Sequence, residues 1–166
     1  MAVVTAVIRA VFPGTFDPIT LGHEALVMRA SGLFDEVVVA VAAGVHKRAV
    51  FTLEERVEMA RMSFSAGNIR AEPFSGLLAD FMRAQQSRII LRGLRAVSDF
   101  EFESQLAHIN KTLDDDLETL FLPPSNEYIH LSSTTVREVA LLGGDVTKFV
   151  SSHVAGALLR KVKPCP

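Results

Sequence analysis

The sequence predicts an α/β fold, a doubly wound five-stranded parallel sheet with flanking helices. Two observations carry that reading. Short apolar, β-branched runs alternate with longer helical patterns, and the apolar runs lack the every-second-residue polarity of a half-exposed strand. Residues with unusual chemistry also fall directly after the strands, which is where ligands bind in sheets of this kind. The chain has 166 residues, the size of one domain, so a single domain over 1–166 is expected.

Taken in order, Thr5–Phe12 is the first strand, closed by Pro13-Gly14, and His23–Ala30 the first helix. Glu36–Val41 is the second strand. The helix Thr52–Phe64 opens on Thr52-x-x-Glu55, a capping-box spacing, and places Leu53, Val57, Ala60 and Phe64 on one face. Ile69–Glu72 is a weak third strand, followed by a helix over Leu77–Gln86. Arg88–Leu91 is the fourth strand. The helix from Ala96 to Leu113 carries an apolar stripe of Phe102, Leu106, Ile109 and Leu113. Glu118–Leu122 is the fifth strand, and helices over Thr134–Leu142 and Ser152–Val162 close the chain. Repeated strand–helix–strand units imply right-handed crossovers and a parallel sheet.

Composition excludes several function classes. Apolar residues make up 49% and charged residues 22%, as in an ordinary globular chain. Seventeen basic against nineteen acidic residues leave a net charge of −2, which argues against an electrostatic grip on nucleic acid or anionic lipid. The single cysteine, Cys165, cannot form a disulfide within the chain or a thiolate zinc cluster. A reducing cytoplasm is the expected compartment. No apolar run reaches the length of about 18–20 residues that a spanning helix needs. The apolar start lacks a basic leader and meets Arg9 too early for a signal peptide.

Three clusters carry the chemistry. The first junction reads Phe12-Pro13-Gly14-Thr15-Phe16-Asp17-Pro18-Ile19-Thr20-Leu21-Gly22-His23. Glycines and prolines fix a tight loop that ends at a helix N-terminus, where unpaired N–H groups and the positive dipole end suit a phosphate. No Gly-Lys-Ser/Thr follows, so it is not a P-loop. The plain alternative is a capped turn with a partly exposed histidine. The second cluster, Arg92-Gly93-Leu94-Arg95 running into Asp99-Phe100-Glu101-Phe102-Glu103, follows the fourth strand. Its two arginines suit phosphate clamping or, alternatively, a solvated basic turn. Glu103 and Asn110, two turns apart, share one side of their helix. The third is Leu131-Ser132-Ser133-Thr134-Thr135-Val136-Arg137, where hydroxyls at a helix start read as N-caps, and Thr135-x-x-Glu138 again has capping-box spacing.

Thr20-Leu21-Gly22-His23 resembles the [His or Thr]-x-Gly-His signature of the nucleotidylyltransferase superfamily. Gly14-Thr15-Phe16-Asp17-Pro18 and the Arg92–Glu103 segment are similar to one branch, the bacterial phosphopantetheine adenylyltransferases, over about Ala10–Leu159. The resemblance implies a Rossmann-like fold and transfer of AMP from ATP to 4′-phosphopantetheine, giving dephospho-coenzyme A and pyrophosphate. It implies His23 as transition-state stabiliser, assisted by Lys47 and Thr15. ATP is then expected at Thr15, Phe16, His23, Gly93, Leu94, Arg95, Glu103, Tyr128, Ile129, His130, Leu131, Ser132, Ser133 and Thr134. The acceptor is expected at Thr15, Lys47, Leu78, Arg92 and Asn110. The resemblance also implies Mg²⁺ held mainly by ATP and not by side chains, and a homohexamer; neither nucleic acid nor membrane is an expected partner. Gly76 stands where many members carry Asp, and Gly44-Val45-His46 replaces a commonly Pro-containing turn.

Two other readings compete. A nicotinate mononucleotide or cytidylyl transferase would share the superfamily signature, but the arginine segment and Thr20 favour the pantetheine branch. A module that senses ATP without turnover needs fewer phosphate contacts than His23, Lys47, Arg92 and Arg95 provide. Among the remaining histidines, His108 is expected to face solvent or a subunit and His153 to lie on the surface; Asp114-Asp115-Asp116 reads as a solvated helix end.

Overall fold

The computed structural model describes residues 7–44, 49–95 and 97–162. Its elements alternate as β1 (Arg9–Gly14), α1 (Leu21–Ser31), β2 (Glu36–Ala42), α2 (Leu53–Ser63), β3 (Ile69–Phe74) and α3 (Leu78–Ala84). They continue as β4 (Ile89–Gly93), α4 (Val97–Leu113), β5 (Glu118–Leu122), α5 (Ser133–Leu141) and α6 (Ser152–Lys161). The strands form one five-stranded sheet in the order β3-β2-β1-β4-β5, with every neighbouring pair parallel. The chain winds outward from β1 to β3, then crosses back to β4 on the other side of β1. The strand order therefore reverses between β1 and β4, which opens a crevice beyond their carboxyl ends.

Both faces of the sheet are covered, which explains the unbroken apolar runs. Along β2, Val37, Val39 and Val41 belong to one core, with Phe12, Val27, Ala60, Val136 and Leu158. Val38 and Ala40 belong to the opposite core, with Val11, Ala79, Met82 and Ile90. Alternate residues thus serve two cores, as strand geometry requires. Each fully buried Val or Leu stabilises the fold by about 1.5–3 kcal/mol relative to an exposed one. None of the described helices is long and apolar enough to cross a membrane.

The α2 capping box forms as its spacing predicts. Thr52 Oγ1 accepts from the Glu55 N–H at 3.3 Å and the Glu55 carboxylate accepts from the Thr52 N–H at 2.8 Å. Elsewhere the boundaries move. β1 begins at Arg9 and runs through Pro13-Gly14 instead of stopping before them. Pairing with β4 covers Ala10 and Val11, whereas the β2 register continues to Gly14 opposite Val41. The N–H that Pro13 lacks is therefore tolerated at the crevice, where one ladder has already ended. The α5 N-cap is Ser132, whose hydroxyl accepts from the Thr135 N–H at 3.0 Å; Thr135 is inside the helix and caps nothing. α3 ends at Ala84, and Gln86 follows at φ +52°.

α4 departs most from the reading of its stripe. Phe102, Ile109 and Leu113 are exposed. The face turned toward the sheet carries Glu103, Leu106, Ala107 and Asn110, spaced i, i+3, i+4, i+7. Leu106 borders both faces, so a single apolar count cannot distinguish them. His153 is half-buried, with Nε2 3.1 Å from the Met59 carbonyl on α2, so it belongs to the α2–α6 contact and not to the open surface.

Candidate active site

The crevice between β1 and β4 is a cleft of about 360 Å³. Its floor is the turn after β1. Phe16 adopts φ +48° and folds its ring back over Gly14, where an added Cβ would lie 2.9 Å from the ring. Any larger residue at 14 would force that ring to shift. Phe16 is 3% exposed and meets the His23 ring edge-on, at 5.1 Å between centroids. Gly22 serves closeness of a different kind: a Cβ there would stand 3.3 Å from Tyr128 Cβ, so its absence lets the segment before α5 close one wall.

α1 opens on Thr20. Its side chain accepts from the His23 N–H, and the Thr20 N–H donates to His23 Nδ1 at 3.1 Å. A backbone N–H is a donor only, so Nδ1 is the acceptor and the neutral ring carries its proton on Nε2. Burial, then the Arg95 and Arg92 guanidinium charges, lower the His23 pKa to about 4. Near neutral pH the cleft therefore offers an uncharged Nε2–H donor on a ring held by its other nitrogen.

That shift has a measurable consequence. Above pH 6.5 the ring is neutral in the folded and unfolded chains alike. Below it the unfolded chain takes up the proton first, so the contribution of His23 to stability falls as pH drops through the window from 6.5 to about 4. The expected loss by pH 5 is about 2 kcal/mol. His23→Gln, which keeps a capping-box residue at that position, should lack this component. Urea unfolding of both proteins at pH 7 and pH 5, at one protein concentration, measures the difference.

Three guanidinium groups border the cleft. Arg92, at the end of β4, is gripped by both oxygens of Glu103, at 2.6 and 2.5 Å, and donates to the Pro13 carbonyl at 2.9 Å. Arg95 donates to the Leu131 carbonyl at 3.2 Å and faces Asp99 at 3.4 Å. Arg137 on α5 donates to the Asp17 carbonyl and to Thr134 Oγ1. Ser133 Oγ donates to the Pro18 carbonyl at 2.8 Å, which fastens the α5 N-terminus to the β1 turn.

A second cavity of about 330 Å³ adjoins the first. Phe74, Leu78, Ile90, Leu106 and Ala107 give it apolar walls, and Asn110 adds a polar group. Thr15, Arg92 and Glu103 border both cavities.

The structure brings most of the expected residues together. Thr15, Phe16, His23, Gly93, Arg95, Glu103, Tyr128, Leu131, Ser132, Ser133 and Thr134 line the first cleft. Thr15, Leu78, Arg92 and Asn110 line the second. Leu94, Ile129 and His130 border neither, and Lys47 lies outside the described residues. Glu103, expected at ATP, meets Arg92 here. Arg137, which closes the third cluster, also lines the first cleft; it stands three residues after Thr134, on the same helical face.

A cytidylyltransferase-like family model matches residues 11–139, which spans the cleft from β1 to α5. A protein of Nitrosospira multiformis called phosphopantetheine adenylyltransferase is 57% identical over 155 residues, 93% of this chain and 94% of that protein. One of the same name from Thioalkalivibrio sulfidiphilus is 60% identical over 150 residues, 90% of this chain and 94% of that protein. Among solved structures, a Plasmodium falciparum nicotinic acid mononucleotide adenylyltransferase complexed with NaAD superposes with a TM-score of 0.71 at 14% identity, covering 93% of this chain and 96% of that one. A bifunctional NMN adenylyltransferase/ADP ribose pyrophosphatase from Francisella tularensis also gives 0.71, at 13% identity, covering 93% of this chain and 49% of that one. At such low identity these two speak for the fold alone and do not separate branches that share it. Identity above one half over nine-tenths of the length does separate them: the chain is a nucleotidyltransferase and belongs to the phosphopantetheine adenylyltransferase family.

Proposed function

We propose that the two cavities hold the two reactants of an adenylyl transfer, with ATP in the first and 4′-phosphopantetheine in the second. The observation that carries this reading is the shared wall. Arg92 and Thr15 border both spaces, so a phosphate entering from the apolar cavity meets the triphosphate where the cationic groups converge. The apolar walls around Leu78 and Leu106, with Asn110 as a polar partner, suit a chain of methylenes, methyls and amides.

A phosphate monoester carries a charge of about −1.5 to −2 near neutral pH, so it is already a nucleophile. One of its oxygens forms a bond to the α-phosphorus of ATP, and the bond from that phosphorus to the β-phosphate bridging oxygen breaks. Pyrophosphate leaves with the electron pair, and dephospho-coenzyme A remains. No enzyme nucleophile is required. The chain's task is to hold two polyanions in line and to place donors where charge moves. His23 Nε2–H donates to the α-phosphate oxygens as they gain charge. Arg92 orients the incoming phosphate; Arg95, Arg137 and the hydroxyls of Ser132, Ser133 and Thr134 hold the triphosphate. Lys47 is assigned to the reacting phosphates by family resemblance.

The Glu103 carboxylate in the cleft is committed to Arg92, so Mg²⁺ would be held mainly by the phosphates of ATP, where it would offset part of their charge. A homohexamer in the cytoplasm completes the proposal. The exposed apolar residues Phe102, Ile109 and Leu113 on α4 support assembly.

The expected result is pyrophosphate release when ATP is supplied with 4′-phosphopantetheine, and release at least 100-fold slower with nicotinate mononucleotide in its place. Equal rates with both acceptors would refute the assignment of the second cavity. ATP binding without pyrophosphate release would favour a sensor.

A further inference from the structure

A buried cation outside the cleft is hydrogen-bonded to the floor of the site. Arg56, on α2, is 2% exposed, and no carboxylate lies within salt-bridge distance of it among the described residues. It is satisfied by main-chain carbonyls instead. Nη1 donates to Thr15 at 2.6 Å and to Ala42 at 2.7 Å, Nη2 to Ala43 at 3.2 Å and Nε to Phe51 at 3.2 Å. A planar group with a fixed fork of donors can collect carbonyls from three separate segments at once. A buried charge is expensive, and an arginine in this place bonds only backbone, so its effect is on how that backbone is held.

The Thr15 contact is the consequential one. The Thr15–Phe16 peptide is trans, so its C=O and its N–H point in opposite directions. Arg56 is not among the residues lining the cleft, so the C=O that it holds is turned toward the protein interior and the Phe16 N–H lies on the opposite side of the peptide. That N–H donates to no acceptor among the described residues, and both residues line the cleft. Phe16 sits at φ +48°, a conformation that persists in a bulky residue only when its surroundings hold it. Asp17 secures the other end. It is 6% exposed and accepts from the Val50 and Phe51 N–H groups, both at 3.0 Å.

We propose that Arg56 is a positioning residue for adenylyl transfer: by gripping the Thr15 carbonyl it presents the Phe16 N–H as a phosphate donor in the cleft. This rests on the function proposed above. Lysine at 56 is a point donor without the fork, so it cannot hold all four carbonyls in the same geometry.

The test uses the full chain. In wild type, the Phe16 amide proton should move downfield in a nitrogen–proton correlation spectrum when ATP is added alone. In Arg56→Lys, folded by circular dichroism, that displacement should shrink by at least half. Its kcat should fall about 10- to 100-fold, with KM for 4′-phosphopantetheine within threefold of wild type. Added methylguanidinium should restore part of the kcat of Arg56→Ala. If Arg56→Ala does not fold, the spectra and kinetics of Arg56→Lys decide alone. A folded Arg56→Lys with kcat within twofold of wild type and an undiminished Phe16 response overturns the proposal. So does a wild-type protein that binds ATP and turns over without moving the Phe16 amide, a result that leaves the adenylyl-transfer reading intact. A wild-type protein with no turnover would refute that reading instead.

Discussion

His23→Ala is expected to lower kcat by about 10²- to 10³-fold, the usual effect of losing one preorganised donor to developing charge, while KM for each substrate stays within a few-fold. The asymmetry follows from the geometry. His23 Nδ1 is occupied by the Thr20 N–H, so the ring contributes through Nε2, and a neutral donor gains most when the phosphate oxygens gain charge. An interaction made mainly in the transition state appears in kcat and kcat/KM together. The pH profile supplies a second signature. With the His23 pKa near 4 in the free enzyme, kcat/KM should show no acid limb from this group around pH 6.5. The neutral form is the one expected to donate to the phosphate. A kcat unchanged in folded His23→Ala, measured by pyrophosphate release at saturating substrates, would remove the histidine from the reaction.

The legible part of this molecule was the part written in local chemistry. The β-branched runs located the strands because burial on both faces leaves no room for polar alternation. Thr52-x-x-Glu55 fixed the start of α2 because both halves of a capping box lie within one turn. Following each strand to its carboxyl end picks out His23, Arg92 and Arg95 separately, and the topology brings them to one cleft at the switch point. What escaped was set by contacts between distant segments. Arg56 sits in Leu53-Glu54-Glu55-Arg56, which reads as a charged, solvated turn of helix. Its carbonyl partners come from the β1 turn, the end of β2 and the start of α2, so nothing within its own segment announces burial. Asp17 is hidden in the same way, since its partners are Val50 and Phe51.

α4 teaches the complementary lesson. Periodicity identified Phe102, Leu106, Ile109 and Leu113 as one stripe, and they do share a side of the helix. It could not say that the helix turns a neighbouring, more polar side to the sheet. Glu103 and Asn110 face inward because a cavity, and not packed hydrocarbon, lies beneath them. A rule that apolar residues point inward fails where the element covers a cavity, and the apolar face of α4 is then left exposed.

Arg92 should show the largest effect on substrate binding, and its partner complicates the simplest experiment. Arg92→Ala removes the group assigned to the incoming phosphate, so KM for 4′-phosphopantetheine should rise about 100-fold, roughly the value of a bidentate charged contact, while ATP affinity changes less than fivefold. The same substitution also strands Glu103. That carboxylate has a side chain only 12% exposed and gives both oxygens to Arg92, so its loss of a partner should cost about 1–3 kcal/mol of stability. A weakened protein and a weakened site would then be confounded. The pair separates them. Arg92→Met combined with Glu103→Leu removes both charges and refills the space, so the double variant should recover most of the stability lost by Arg92→Ala. It should recover none of the binding, because the incoming phosphate still lacks its guanidinium. Calorimetric titration with 4′-phosphopantetheine and with ATP, beside urea unfolding of each variant, resolves the two effects. Recovery of acceptor binding in the double variant would mean that Arg92 acts only by neutralising Glu103, and the acceptor's phosphate would then have to be held by another group in the cleft.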